Sequence, residues 1–189
     1  MKHWISVAAV LLATCSVSPA QQIRVRGVGG GIGYTSISLS SGRTSQTLDG
    51  FAISAHADLG EITSGIRLYP ELLYFHTSKD LGGGVTQSVN DVAISANGHV
   101  GIRLQGKFTP YVGAGLGVNF LGNSTETTDQ RRGTTKGVTN SETRFGLNLL
   151  GGADYTVNSR LKIGGELRYV LASDFNHVII RATATYALR

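Results

Sequence analysis

Cysteine, tryptophan and methionine each occur once in this chain of 189 residues, and all three lie within its first 15 residues. That segment has the parts of an export signal: a positive charge at Lys2, an apolar stretch over residues 4–13, and a small-residue cleavage site at residues 18–20. We therefore predict a signal peptide over residues 1–20 and a single mature domain over residues 21–189. That domain contains no cysteine, which excludes disulfides, thiolate metal sites and cysteine nucleophiles.

Charge, proline and long apolar runs are also scarce. Charged residues make up 15% of the chain, there are 3 prolines, and no run of 18 apolar residues follows Gln22. The last of these absences excludes a transmembrane helix. Once Lys2 is removed, sixteen basic and twelve acidic side chains remain, and the basic ones are scattered singly apart from Arg131 and Arg132. This scattered excess argues against a nucleic-acid partner.

What the chain has instead is glycine, 26 residues of it, and a regular alternation of apolar with polar side chains. Phe51, Ile53 and Ala55 are apolar, for example, whereas Ser54 and His56 between them are polar. This period of two is typical of β-strands with one apolar and one polar face. Eight such segments follow one another along the mature domain. We therefore predict an all-β fold.

The connections between these segments alternate in length. Short turns are predicted at residues 63–64, 105–107 and 158–160, and longer polar connections at residues 40–50, 79–90, 122–142 and, more briefly, 174–177. An even number of strands that begins and ends on the short-turn side is typical of outer-membrane proteins. We predict an eight-stranded antiparallel up-and-down transmembrane β-barrel with short periplasmic turns and longer extracellular loops. The longest loop is either a contact for lipopolysaccharide or a receptor, or a solvated loop without a ligand.

The short turns also predict the strand register. The first places Ile53 opposite Tyr74, and the second places Val100 opposite Val112, so that apolar residues meet apolar residues. Pro70 lies inside the third strand and has no backbone N–H to donate. We therefore expect a bulge or a local break in the pairing there.

The two faces of the strands predict two sets of functional side chains. On the apolar face, aromatic residues lie near the strand ends and aliphatic residues between them, as at membrane interfaces. This predicts an aromatic girdle of Phe51, Tyr74, Phe108, Phe120, Phe145, Tyr155 and Tyr186. The polar face would line a narrow interior, where buried charges must be paired. We predict a luminal charge network that plugs the barrel, formed by Asp58, Arg67, Glu71, Arg103, Asp154, Lys162, Glu166, Arg168 and Arg181.

Several stretches of the sequence resemble a known family: PYVGAGLG at residues 110–117, FGLN at 145–148 leading to GGADY at 151–155, and GELRY at 165–169. They resemble the small outer-membrane β-barrel superfamily, which includes the OmpA transmembrane domain and OmpX-like and porin-family surface proteins. The resemblance implies a monomer in the cell outer membrane with a structural or surface-interaction role, no catalytic activity, and neither cofactor nor metal. The partners it implies are outer-membrane lipid, lipopolysaccharide and, during insertion, the barrel-assembly machinery. The chain departs from the family by ending on Arg189 rather than on an aromatic residue.

Three other functions stay open on the sequence. A soluble exported barrel of the lipocalin type would turn the apolar face inward and bind an apolar ligand. A small porin would need an open lumen. The sequence HTS at residues 76–78 is similar to the His-x-Ser pair of outer-membrane lipid A deacylases, which are also eight-stranded barrels. In that hypothesis Ser78 is the nucleophile, His76 the general base, and Glu71 or Asp80 the carboxylate that orients the histidine.

Overall fold

The computed structural model describes residues 24–41, 44–102, 104–129, 134–172 and 175–188. These contain nine strand segments: β1 (Gly27–Ser41), β2 (Thr44–Asp58), β3 (Glu61–Thr63), β4 (Ile66–Gly82), β5 (Val85–Gly101), β6 (Phe108–Asp129), β7 (Thr134–Thr156), β8 (Leu161–Ala172) and β9 (Phe175–Ala187). In these ranges no helix is both long enough and apolar enough to cross a membrane. The predicted signal peptide, Arg103 and the pair Arg131 and Arg132 lie outside the described residues.

The strands close into a barrel. Neighbouring strands are antiparallel in the order β2-β1-β9-β8-β7-β6-β5-β4-β3, and an additional pairing of β2 with β4 completes the ring. Since β3 pairs with β4 beyond the end of β2, β2 and β3 together form one interrupted strand, and the barrel has eight. Closure leaves no open sheet edge within the ring, which is the condition for a β-sheet to lie in lipid. The predicted all-β, eight-stranded antiparallel barrel is confirmed.

The predicted register is confirmed in both hairpins. Ile53 lies opposite Tyr74, and Val100 lies opposite Val112. Because successive side chains point to opposite faces, this register brings the apolar faces of adjoining strands together on the outside of the barrel. Leu116 is 71% exposed there and Phe145 is 80% exposed. The barrel thus carries an apolar belt on its outside, whereas most charged side chains of the strands lie inside, the reverse of a soluble protein.

Pro70 interrupts the pairing on one side of β4 only. The ladder between β2 and β4 ends at His56 and Glu71, the residue that follows Pro70, whereas the ladder between β4 and β5 continues through Pro70 opposite Ala96. The expected local break is therefore present at the junction with β2. The first short turn lies at residues 64–65 instead of the predicted 63–64. The break after β2 and an irregularity in β3 compensate for this one-residue shift of the turn. The register of β2 against β4 is therefore the predicted one.

The long loops predicted at residues 40–50, 79–90 and 122–142 are wrong in their extent. The ladder of β4 and β5 runs to Gly82 opposite Val85, and that of β6 and β7 runs to Asp129 opposite Thr134. These segments are polar, but they are rich in threonine, whose branched side chain favours strands. Polarity therefore marks the part of each hairpin beyond the apolar belt rather than a loss of strand structure.

Candidate functional site

The centre of the barrel interior holds four charged side chains, here named the ion-pair layer. Glu71 comes from β4, Glu166 and Arg168 from β8, and Arg181 from β9, and each is at most 5% exposed. Arg168 Nη1 donates to Glu71 Oε1 at 2.6 Å, and Arg181 Nη2 donates to Glu71 Oε2 at 2.7 Å. The same two guanidinium groups lie 3.0 and 2.8 Å from Glu166 Oε1. Two positive and two negative charges thus balance, which makes their burial tolerable.

Neutral side chains add hydrogen bonds to the ion-pair layer. The Tyr111 hydroxyl donates to Glu166 Oε2 at 3.0 Å, and Arg181 Nη1 donates to the Ser54 hydroxyl at 2.7 Å. These bonds join β2, β6, β8 and β9 across the interior. The layer therefore connects strands that are far apart in the sequence, and it blocks the barrel at this height.

The other predicted luminal charges lie closer to the short turns. Asp58 forms an ion pair with Arg67, and it also accepts the N–H of Gly60 at 2.8 Å. Asp154 and Lys162 line a cavity at the same end of the barrel. The structure thus divides the predicted network into a central cluster of four residues and a separate group at the barrel mouth. Arg103 is outside the described residues.

Histidine and tyrosine rings fill the interior between the ion-pair layer and the short turns. The His99 ring stacks on Tyr69 with a centroid distance of 4.2 Å and on Tyr111 with a centroid distance of 4.8 Å. Gly113 lies opposite His99, and a Cβ at that glycine would be 2.5 Å from the carbonyl oxygen of Gly98 and 3.1 Å from the His99 ring. This glycine is needed because the Gly98 carbonyl and Leu150, whose Cδ1 would be 2.6 Å from that Cβ, occupy the space beside it.

Toward the long hairpins, the interior contains an apolar cluster that is interleaved with buried Thr35, Thr77, Asp91 and His177. A buried cluster, here named the apolar plug, contains Ile37, Leu48, Ala52, Leu73, Phe75, Val89, Ala93, Leu121 and Ile179. The alternation did not predict this cluster, because a polar face was expected to line the whole interior. The signal that could have found it is the unbroken apolar run at residues 72–75, where both faces of the strand are apolar. The apolar plug and the ion-pair layer close the lumen in succession.

The predicted aromatic girdle lies on the outer face in two groups. Phe51, Tyr74, Phe120 and Phe145 lie toward the long hairpins, and Phe108, Tyr155 and Tyr186 toward the short turns. Six of the seven are at least 44% exposed, whereas Tyr74 is half-buried and donates its hydroxyl to Asn90 Oδ1 at 3.1 Å. Tyr34 lies opposite Phe51 and is also exposed on this face. It was not predicted as a girdle residue, because the glycines around it interrupt the apolar–polar alternation.

The described side chains of the hydrolase hypothesis are not arranged as a catalytic relay. His76 Nδ1 lies 2.7 Å from Asn90 Oδ1, and the Ser78 hydroxyl accepts a hydrogen bond from Ser88 at 3.3 Å. Glu71 is in the interior ion-pair layer, on the opposite face of β4 from His76, and it cannot orient that ring. A nucleophile–base–acid relay needs these groups within hydrogen-bond distance of one another.

Asp80, the other carboxylate considered for that relay, is engaged elsewhere. Its Oδ1 accepts the backbone N–H of Gly82 at 2.8 Å, which closes the turn between β4 and β5. Its side chain therefore has a local role in the hairpin turn.

Comparisons with known proteins agree with this architecture. The family model described as outer membrane protein beta-barrel domain matches residues 7–187. Among solved structures, Neisserial surface protein A is 17% identical with a TM-score of 0.55, covering 85% of this chain and 97% of that one. The attachment invasion locus protein Ail of Yersinia pestis, solved with the heparin analogue sucrose octasulfate, is 11% identical with a TM-score of 0.51, covering 87% and 100%. At these identities the likeness concerns the fold alone. A comparison with curated protein sequences gives no match.

Proposed function

Because the chain belongs to the outer-membrane β-barrel domain family, we propose that it is a monomeric, non-catalytic barrel that displays a polar sheet at the cell surface. Its location in the outer membrane excludes the soluble lipocalin-like alternative. The lipid-facing belt anchors the protein, and the part of the strands beyond the belt is available for contacts with other molecules. In this role the barrel is the rigid support, and the strand segments beyond the belt make the surface contacts.

The observation that carries the proposal is the length of β6 and β7, which extend far beyond the aromatic girdle. Nine residues of β6 follow Phe120 before the strand ends at Asp129, which corresponds to about 30 Å. β7 pairs with β6 from Thr134 onward, but in the described part of the chain it pairs with β8 only from Gly146. Residues 134–145 thus have one strand edge that no described strand covers. Such an edge offers backbone N–H and C=O groups to a partner strand.

A groove at the base of this extension suits an amphiphilic partner. It has a volume of about 340 Å³, and its lining combines apolar Val92 and Phe120 with polar Asn90 and Ser141. The apolar residues belong to the belt, and the polar ones lie just beyond it. A lipid whose acyl chains continue into a sugar head group presents the same succession. We therefore propose outer-membrane lipid and lipopolysaccharide as the first partners of this surface.

The small-porin alternative is disfavoured by the closed interior. An ion that crosses the barrel would have to pass the ion-pair layer and then the apolar plug, where Phe75, Ile37 and Leu48 are fully buried. A constriction of buried apolar side chains opposes ion passage. The role we propose therefore needs no conduction through the lumen.

The surface role can be tested with an epitope inserted at either end of the barrel. An epitope placed between residues 130 and 131 should be labelled by antibody on intact cells. The same epitope placed between residues 105 and 106 should be labelled only after the outer membrane is permeabilised, because short turns of such barrels face the periplasm. Labelling of the second site on intact cells, or of neither site after permeabilisation, would contradict the proposed display of the β6–β7 extension.

A further inference from the structure

The short-turn end of the barrel contains a cavity of about 320 Å³, here named the basic vestibule. Tyr69, Asp154 and Thr185 line both this cavity and a smaller polar pocket beside the ion-pair layer. In outer-membrane barrels this end faces the periplasm. The basic vestibule therefore lies at the periplasmic end of the interior, and the ion-pair layer separates it from the cell-surface end.

The charges around the basic vestibule are unequal. Its lining includes four cationic side chains and two anionic ones: Arg26, Arg67, Arg160 and Lys162, against Asp58 and Asp154. Arg67 pairs with Asp58. Within the described ranges, no carboxylate lies within 4.0 Å of the charged groups of the other three cations. Only Asp154 offsets them in part, which leaves a formal excess of two positive charges. The Arg160 guanidinium also donates to the hydroxyl of the girdle residue Tyr186 at 3.1 Å, so Arg26 and Lys162 are the cations that we assign to a ligand.

Backbone hydrogen bonds hold two of these cations at the rim. The Arg26 N–H donates to the Asp58 carbonyl oxygen, and the Arg26 carbonyl accepts the N–H of Leu188, both at 2.7 Å. The Arg160 carbonyl accepts the N–H of Ala187 at 2.7 Å. The two arginines thus flank the end of β9, on whose other side β8 begins with Lys162 as its second residue. The positive charge is thus held at the short-turn ends of β1 and β8, on the two sides of β9.

We propose that the basic vestibule binds a small phosphate monoester from the periplasm. A phosphate monoester carries about two negative charges near neutral pH, which matches the excess of the vestibule. Arginine and lysine are the side chains best suited to its oxygens. The volume is at the lower end of the range for small-molecule sites, so a compact solute fits and a polymer does not. This binding site is separate from the surface extension and does not depend on its proposed role.

Methyl phosphate is the probe for this proposal. Phosphorus NMR titration of the folded protein, in a maltoside detergent that contains no phosphate, should give saturable binding at pH 7.5. Arg26→Gln and Lys162→Gln should each weaken it about tenfold, which equals about 1.4 kcal/mol. Dimethyl phosphate, a monoanion like a phospholipid head group, should bind at least about tenfold more weakly, since one negative charge is missing.

Lys107→Gln is the matched control. Lys107 lies in a short turn at the same end of the barrel, but it does not line the vestibule, so its loss should leave the affinity unchanged. A folded barrel migrates faster on an unboiled gel, which verifies each variant before titration. The proposal is overturned by the absence of saturable binding, by an equal effect of Lys107→Gln, or by equal affinity for the two phosphates.

Discussion

Glu71→Gln is expected to lower the free energy of unfolding by about 3–5 kcal/mol, because it breaks a buried ion pair and leaves charge uncompensated. Glutamine preserves the volume of the side chain, so packing is little changed. What is lost is the carboxylate that accepts from Arg168 at 2.6 Å and from Arg181 at 2.7 Å. Glu166 would then face two arginines alone. Urea titration of the refolded protein in lipid vesicles, followed by the gel shift of the folded form, measures the change.

The control for this prediction is Glu142→Gln. Glu142 pairs with Arg144 on β7 beyond the girdle, where its side chain is 47% exposed. An exposed pair of this kind contributes at most about 1 kcal/mol. If the two variants destabilise the barrel equally, the ion-pair layer is not the interior support that the geometry indicates.

Leu116→Arg is expected to destabilise the barrel by about 2–4 kcal/mol in lipid, because it places a charge deep in the apolar belt. Leu116 lies between Phe108 and Phe120, the two girdle residues of β6, and it is 71% exposed. Val138→Arg makes the same kind of change at a residue that is 64% exposed on the extension. It should shift stability by no more than about 0.5 kcal/mol. Urea titration in vesicles compares the two.

An equal response at the two positions would contradict the assignment of the belt to lipid. In a soluble barrel both side chains would simply face water, and neither arginine would be costly. The difference between Leu116→Arg and Val138→Arg therefore reports on the solvent around the belt rather than on strand propensity.

Alternation in the sequence predicted the closed barrel and the register of its hairpins because both depend on local information. A strand with one apolar face must align that face with its neighbour, so Ile53 and Tyr74 could be paired correctly although the turn lies one residue from its predicted place. The extent of the hairpins could not be predicted in the same way. A polar, threonine-rich strand and a polar loop have the same hydrophobicity pattern. Only the backbone pairing with a neighbouring strand distinguishes them.

The interior was less predictable than the belt. The charged residues of the lumen could be named from the polar face, but their partners depend on how the strands are staggered around the ring. Arg181 reaches Glu71 across 110 positions of sequence, and no turn between them sets that contact. The apolar plug was hidden for another reason. In the run that contains Leu73 and Phe75, apolar residues occupy both faces, so the alternation identified Leu72 and Tyr74 as outward but did not single out Leu73 and Phe75 as interior.

The most direct test of the account is the solvent accessibility of single spin labels on the outer surface. The predicted mature domain has no cysteine, so Leu116→Cys and Val138→Cys each give one labelling site. In lipid vesicles, the label at residue 116 should collide more with dissolved oxygen than with an aqueous nickel complex, because oxygen concentrates in lipid. The label at residue 138 should show the reverse. A label at residue 116 that is more accessible to nickel than to oxygen would contradict the claim that the apolar belt faces lipid.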